Sequence, residues 1–157
     1  MTSHHRQSRV DGCVAAAMCI IQRWRGQTPT EDAFLASTPH DDPTLVGRHL
    51  ERIRPMVLPI GSEHEIVLAL LSGSIAAVTV VSQHYEQWLR RRYPDLTSPH
   101  GSFGGAAMWL HMVVLVGRAR DAFDLLDPFF EATGQPLRID DDEFVACFGG
   151  HAFVAAP

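Results

Sequence analysis

Asp11-Gly-Cys-Val-Ala-Ala-Ala-Met-Cys-Ile-Ile-Gln-Arg-Trp-Arg-Gly26 reads as one helix with a cysteine in its first turn. The stretch is rich in helix formers, and Gly26 stands where a helix C-cap belongs. A helix start gathers unpaired N–H groups and the positive end of the macrodipole, and both favour a thiolate over a thiol. The same N–H groups can hold an oxyanion. Cys13 occupies that place and is the candidate nucleophile. The plainer reading, a small apolar residue opening a buried helix, is the commoner case from position alone, since free Cys is usually buried.

On either side of this helix the chain divides by texture. Thr30 ahead of Glu31 and Asp32 reads as the N-cap of a second helix, and Asp42-Pro43 as the start of a third running to about Ile53. Ser62 with Glu65 is a capping box leading into Ile66 to Leu71, closed by Gly73. Ile75 to Val81, His111 to Val116 and Phe123 to Leu126 are then β-branched or apolar runs bounded by Gly, Asp and Pro. Ala152 to Ala155 is a weaker strand, and Asp140 to Cys147 predicts a short helix. Helices first and antiparallel strands afterwards is the α+β pattern, and nothing marks a domain boundary within 1–157. Ser82 to Met108 stands out as a long connection between two strands, aromatic and basic in its first half and Gly-rich in its second.

Of nine histidines, His111 alone heads a strong strand, where a rigid element can hold an imidazole as general base. Asp127 closes the next strand, and a hairpin through Gly117 to Ala122 returns its carboxylate toward His111. Asp-Pro is also a frequent turn starter, so Asp127-Pro128 has a structural reading as well. Cys19 and Cys147 lack a comparable setting and read as core.

Taken together, Gln7-Ser-Arg-Val-Asp-Gly-Cys13, the helix to Gly26, and His111-Met-Val-Val-Leu-Val-Gly117 followed by Asp127-Pro128 resemble the bacteriocin-processing, double-glycine leader peptidases and their papain-like relatives. The six-residue step from Gln7 to Cys13 and the sixteen-residue step from His111 to Asp127 match that family's spacing. The tail from Gln135 to Gly150 looks like its closing helix and final strand. The resemblance implies a papain-like α+β fold with N-terminal helices packed on a C-terminal, mainly antiparallel sheet. It also implies a Cys13, His111 and Asp127 catalytic set in which Gln7 donates its amide to the oxyanion. It thins between Gln27 and Gly61 and fails over Ser82 to Met108. Gly12 stands where the family carries an acidic residue, and Val14 where it carries Gly. In the unmatched segment Trp88 and Arg91, with Trp109 just beyond it, are candidates to contact substrate, the alternative being a solvated elaboration of the surface.

Composition limits the partners. The chain of 157 residues is 46% hydrophobic and 20% charged, which suits a soluble globular domain able to bury about two thirds of its unfolded surface. A formal charge of −5, with thirteen basic residues that are all Arg, lacks the basic footprint of a nucleic-acid binder and suggests a bacterial genome biased in base composition. Three cysteines without a CxxC spacing argue against a zinc ribbon or a disulfide framework, and no cofactor or metal is expected. Apolar runs such as Ile75 to Val81 are far short of the roughly 20 residues that span a bilayer, and residues 1–10 lack a signal peptide's apolar stretch. These features predict a cytoplasmic protein in a reducing compartment. The expected partner is a peptide or acyl-thioester substrate, with a carrier or transporter beside it and no membrane insertion. Three functions compete: a peptidase forming an acyl-thioester on Cys13, an acyltransferase or cyclase acting on a carrier-bound thioester, and an inactive peptide-binding module.

Overall fold

A computed structural model describes residues 3–37, 53–57, 63–101 and 110–157. Among them the elements run α1 (Cys13–Trp24), α2 (Glu31–Ser37), β1 (Ile53–Val57), α3 (His64–Leu71), β2 (Ile75–Val81), α4 (Ser82–Arg92), β3 (Leu110–Ala119), β4 (Ala122–Leu126), β5 (Leu137–Asp140), α5 (Asp141–Cys147) and β6 (Phe148–Ala155). The strands form a six-stranded sheet in the order β1-β6-β2-β3-β4-β5. Every neighbouring pair is antiparallel. This is the expected α+β architecture with a mainly antiparallel sheet.

Helix α1 is apolar all round, and every residue from Cys13 to Ile21 is buried, as such a helix must be. Gly26, at φ +78°, ends it, with the Gly26 N–H donating to the Arg23 carbonyl and the Gln27 N–H to that of Gln22. The helix lies on one face of the sheet against Ile75, Ala77, Met112, Val114, Leu126 and Phe153. On the other face α3, α4 and α5 bring Ile66, Tyr85, Trp88 and Phe144 against Val78, Val80, Val113 and Leu125. Helices on both faces explain why β2 reads as an unbroken apolar run and not as an alternation: all its residues but the last are buried.

Three departures from the sequence reading have physical causes. The segment from Ser82, expected as a long connection, is helical to Arg92. It follows β2 without a turn residue, so no punctuation marks its start, yet Tyr85, Trp88 and Leu89 are buried at helical spacing. Ile53, expected at the end of a helix, opens strand β1, where Pro55 is tolerated because the strand is at the sheet edge. Leu137–Asp140 is too short to announce itself as a strand and is recruited by pairing with β4. The Asp42-Pro43 helix start, the Ser62 cap and residues 102–108 lie outside the described residues.

Gly149 fits where a side chain cannot. A Cβ there would sit 2.7 Å from Thr79 Oγ1, 2.8 Å from Leu110 Cδ2 and 3.1 Å from the Thr79 carbonyl carbon. Gly149→Ala is expected to lower stability by about 1–3 kcal/mol through overpacking, read as a fall in melting temperature.

Candidate active site

The site is assembled by strand register. Val114 pairs with Leu126 across the β3–β4 hairpin, so Asp127, one residue on, falls on the same face as Val113 and His111 and one diagonal step from the latter. The His111 Nε2 donates to Asp127 Oδ1 at 2.8 Å, and both side chains are fully buried. A carboxylate can only accept here, so Nε2 carries the proton and Nδ1 is left to deal with the thiol. Cys13 lies near enough to the imidazole to favour its charged form. The structure thus joins His111 directly to Asp127, and Cys13 acts on the same ring.

Asp127 is held from several directions. Oδ1 also accepts the Phe129 N–H at 2.9 Å, and Oδ2 accepts the Tyr85 hydroxyl at 2.8 Å. Its own N–H donates to Gln135 Oε1 at 2.6 Å, while its carbonyl accepts Gln135 Nε2 at 2.9 Å and His4 Nε2 at 3.2 Å. Tyr85 and Phe129 flank the imidazole, with ring centroids 6.0 and 6.3 Å away. Burial disfavours a charged His111, but the Asp127 carboxylate, by charge and hydrogen bond, and then Cys13 outweigh it and raise the imidazole to about 10. Burial, with Glu31 adding to it, pushes the Cys19 thiol up to about 12. Burial, with Glu143 adding to it, pushes Cys147 up to about 11, so both sulfurs are held as thiols.

The segment before Cys13 is strapped across this arrangement. The Gln7 N–H donates to the Pro128 carbonyl at 2.8 Å. The buried Glu31 carboxylate accepts the Ser8 N–H and hydroxyl and the His5 ring, each at 2.8 Å. That carboxylate explains Gly12: a Cβ would lie 3.1 Å from Glu31 Oε2 and 3.2 Å from the Arg9 carbonyl oxygen. Val14 is an ordinary helical residue packed in the core and needs no glycine's freedom. Cys13 is 5% exposed at the first turn of α1, where Gly12 supplies no side-chain cap for the leading N–H groups.

The remaining sequence candidates fall elsewhere. Gln7 is fully buried, and its Nε2 donates to the Arg9 and Val10 carbonyls at 2.7 and 2.9 Å, so the amide braces the turn before Cys13. Trp88, expected to meet substrate, is 1% exposed, packs between Tyr85 and Tyr93 and donates its indole N–H to Glu143 at 2.7 Å. Its large apolar surface is spent on the core, which is why it does not face outward. Arg91 projects from the surface and pairs with Glu143 at 2.9 Å, and Trp109 lies outside the described residues. Tyr85, Gln135, His4 and Phe129 escaped the sequence reading as site residues. Their only signal was proximity created by folding, although Gln135 beside Pro136 and Tyr85 at helical spacing with Trp88 were both visible. A cavity of about 380 Å³ lies under α4 and residues 93–101, lined by Leu89, Tyr93, Leu96 and Phe130 with Glu86 and Arg90. None of Cys13, His111 or Asp127 lines it.

The sequence matches no protein-family model and no curated protein. Its backbone does match solved structures. The peptidase domain of Streptococcus ComA, a bi-functional ABC transporter involved in a quorum-sensing pathway, superposes with a TM-score of 0.60 at 11% identity over 98% of this chain and 97% of that one. A putative C39-like peptidase from Bacillus anthracis gives 0.64 at 14% identity, covering 98% and 93%. The chain has the C39 peptidase fold. At these identities the C39 likeness is one of backbone, and the chemistry rests on the side chains described above.

The linkage of His111 has a definite sign. Its folded-state pKa lies above the unfolded value of about 6.5, so the pair adds stability that is complete below that pH and is lost as pH rises through about 10. The stability difference between the native chain and His111→Gln, measured by urea unfolding, is expected to shrink steadily from pH 6.5 to 10.

Proposed function

We propose that this protein is a papain-like cysteine peptidase that cleaves a peptide, a leader or precursor, through an acyl-thioester on Cys13. The observation that carries the reading is the buried His111–Asp127 hydrogen bond, presented to a thiol at the start of α1. His111 Nδ1 takes the Cys13 proton, and the thiolate attacks the scissile carbonyl carbon. The oxyanion is met by the leading N–H groups of α1, that of Cys13 among them. The imidazolium then gives its proton to the departing amine, and water, activated by the same ring, hydrolyses the thioester. Asp127 keeps the ring in the required tautomer throughout. Gln7 acts as a second oxyanion donor by exchanging one of its two carbonyl partners for the substrate oxygen. The setting that fits is the cytoplasmic one of a transporter-associated peptidase, such as the ComA domain, with the transporter as partner.

A second reading, acyl transfer from a carrier-bound thioester, would seat a long acyl group in the cavity under α4, which Cys13, His111 and Asp127 do not line. Products separate the two: a peptidase releases a free carboxylate, and a transferase yields a new amide or ester.

Iodoacetamide alkylation with peptide mapping tests the site directly. Cys13 is expected to react faster than Cys19 and Cys147 at neutral pH, and His111→Ala is expected to remove that advantage. Cys13→Ala should abolish turnover with the fold intact, and Gln7→Ala should reduce it by about 10²–10³-fold, the usual loss for an oxyanion donor. A Cys13 no more reactive than the other two thiols would leave a binding module as the reading.

A further inference from the structure

Helix α4 belongs to the segment in which the family resemblance fails, yet it reaches into the centre of the proposed site. Its Tyr85 is fully buried, and the hydroxyl donates to Asp127 Oδ2 at 2.8 Å. Asp127 Oδ1 is already occupied by His111 Nε2 and the Phe129 N–H, so the tyrosine holds the other oxygen of the carboxylate. Two donors on one oxygen leave a carboxylate able to rotate about χ2, a torsion that is intrinsically broad. A third donor on the second oxygen fixes the plane, and with it the direction in which Oδ1 meets the imidazole. Tyr85 is itself fixed: its ring stacks on Trp88 at 5.3 Å, and the Trp88 indole is anchored to Glu143 on α5 at 2.7 Å. The desolvated phenol is held well above its ordinary pKa, by burial first and then by the Asp127 charge, so it stays a donor through the working pH range.

The geometry points to Tyr85 as a positioning residue for the proposed reaction, acting through Asp127 to orient His111, with Trp88 and Glu143 as its support. It rests on the Cys13–His111–Asp127 reading and deepens it. Losing this donor lets the carboxylate turn and misdirects the imidazole that takes the Cys13 proton. Tyr85 itself is fully buried and acts through Asp127.

A double-mutant cycle on Cys13 alkylation tests this, using native chain, Tyr85→Phe, Asp127→Asn and the pair, each checked for folding by circular dichroism and melting. Tyr85→Phe keeps the ring and removes only the hydroxyl. It is expected to slow alkylation of Cys13 on the order of tenfold, as loss of a charge-assisted hydrogen bond implies. In the Asp127→Asn background the same change should have no further effect, because the path through Asp127 is already broken; a packing defect would add independently. Trp88→Phe, which retains the hydroxyl, should slow alkylation less than Tyr85→Phe does. Additive effects, or an unchanged rate in Tyr85→Phe, would overturn the inference while leaving the proposed nucleophile in place. A native Cys13 as slow as Cys19 and Cys147 would instead remove the functional reading and this inference with it. Should Tyr85→Phe fail to fold, fluorotyrosine introduced at position 85 keeps the shape and alters only the hydroxyl's acidity. A rate unmoved by fluorination overturns the inference equally.

Discussion

A carboxylate cut off from water is tolerated only when nearby donors replace its hydration, and Asp127 is such a carboxylate. Its donors come from β3, from α4 and from the turn that follows it, and its backbone is gripped at both ends by Gln135. Strand β3, helix α4 and the turn after β4 therefore all hold one group. The helical layer and the hairpin cannot shift relative to one another without leaving that charge uncompensated, a penalty of several kcal/mol. Fold and site share this constraint, and His111 is oriented as a by-product of satisfying it.

The Cys13 side obeys a different rule. Helix α1 is held chiefly by shape and apolar contact, and its position is set by the sheet face of Ile75, Ala77, Met112 and Val114. Polar interactions gather ahead of it, where Glu31 holds Ser8 and His5 and the backbone of Gln7 is bonded to Pro128, and at its last turn, where Arg23 donates to the His4 carbonyl at 2.9 Å. An apolar helix supplies a fixed place for the thiol, and a polar strap closes over its first turn. The division makes chemical sense, since a thiolate needs N–H groups and a base at one end and dry packing along the rest.

Local signals made much of this readable. Strand β2 is delimited by its β-branched run, α1 by Gly26, and the His111–Asp127 partnership by a strand, a turn and a second strand. Thr30 does cap α2, through its hydroxyl and the Ala33 N–H. What stayed hidden depends on long-range contact. Strands β1 and β5 exist because partners are offered to them, and α4 starts where no residue breaks the chain. Trp88 and Gln7 show the same limit at the level of side chains: a sequence gives a residue's chemistry but not whether an indole faces inward or whose carbonyls an amide will meet.

The strap has a consequence for the order in which the molecule comes together. The backbone bond from Gln7 to Pro128 and the contact of His4 with Asp127 join residues more than a hundred positions apart. Loop closure over such distances comes late, after the local helices and the hairpin have formed. On a ribosome, Cys13 is made long before His111, Asp127 and the Pro128 turn exist. A growing chain thus carries a thiol with no base beside it, and nucleophilic competence would arrive together with completion of the fold. An unfinished or misassembled copy would be chemically inert toward neighbouring peptides.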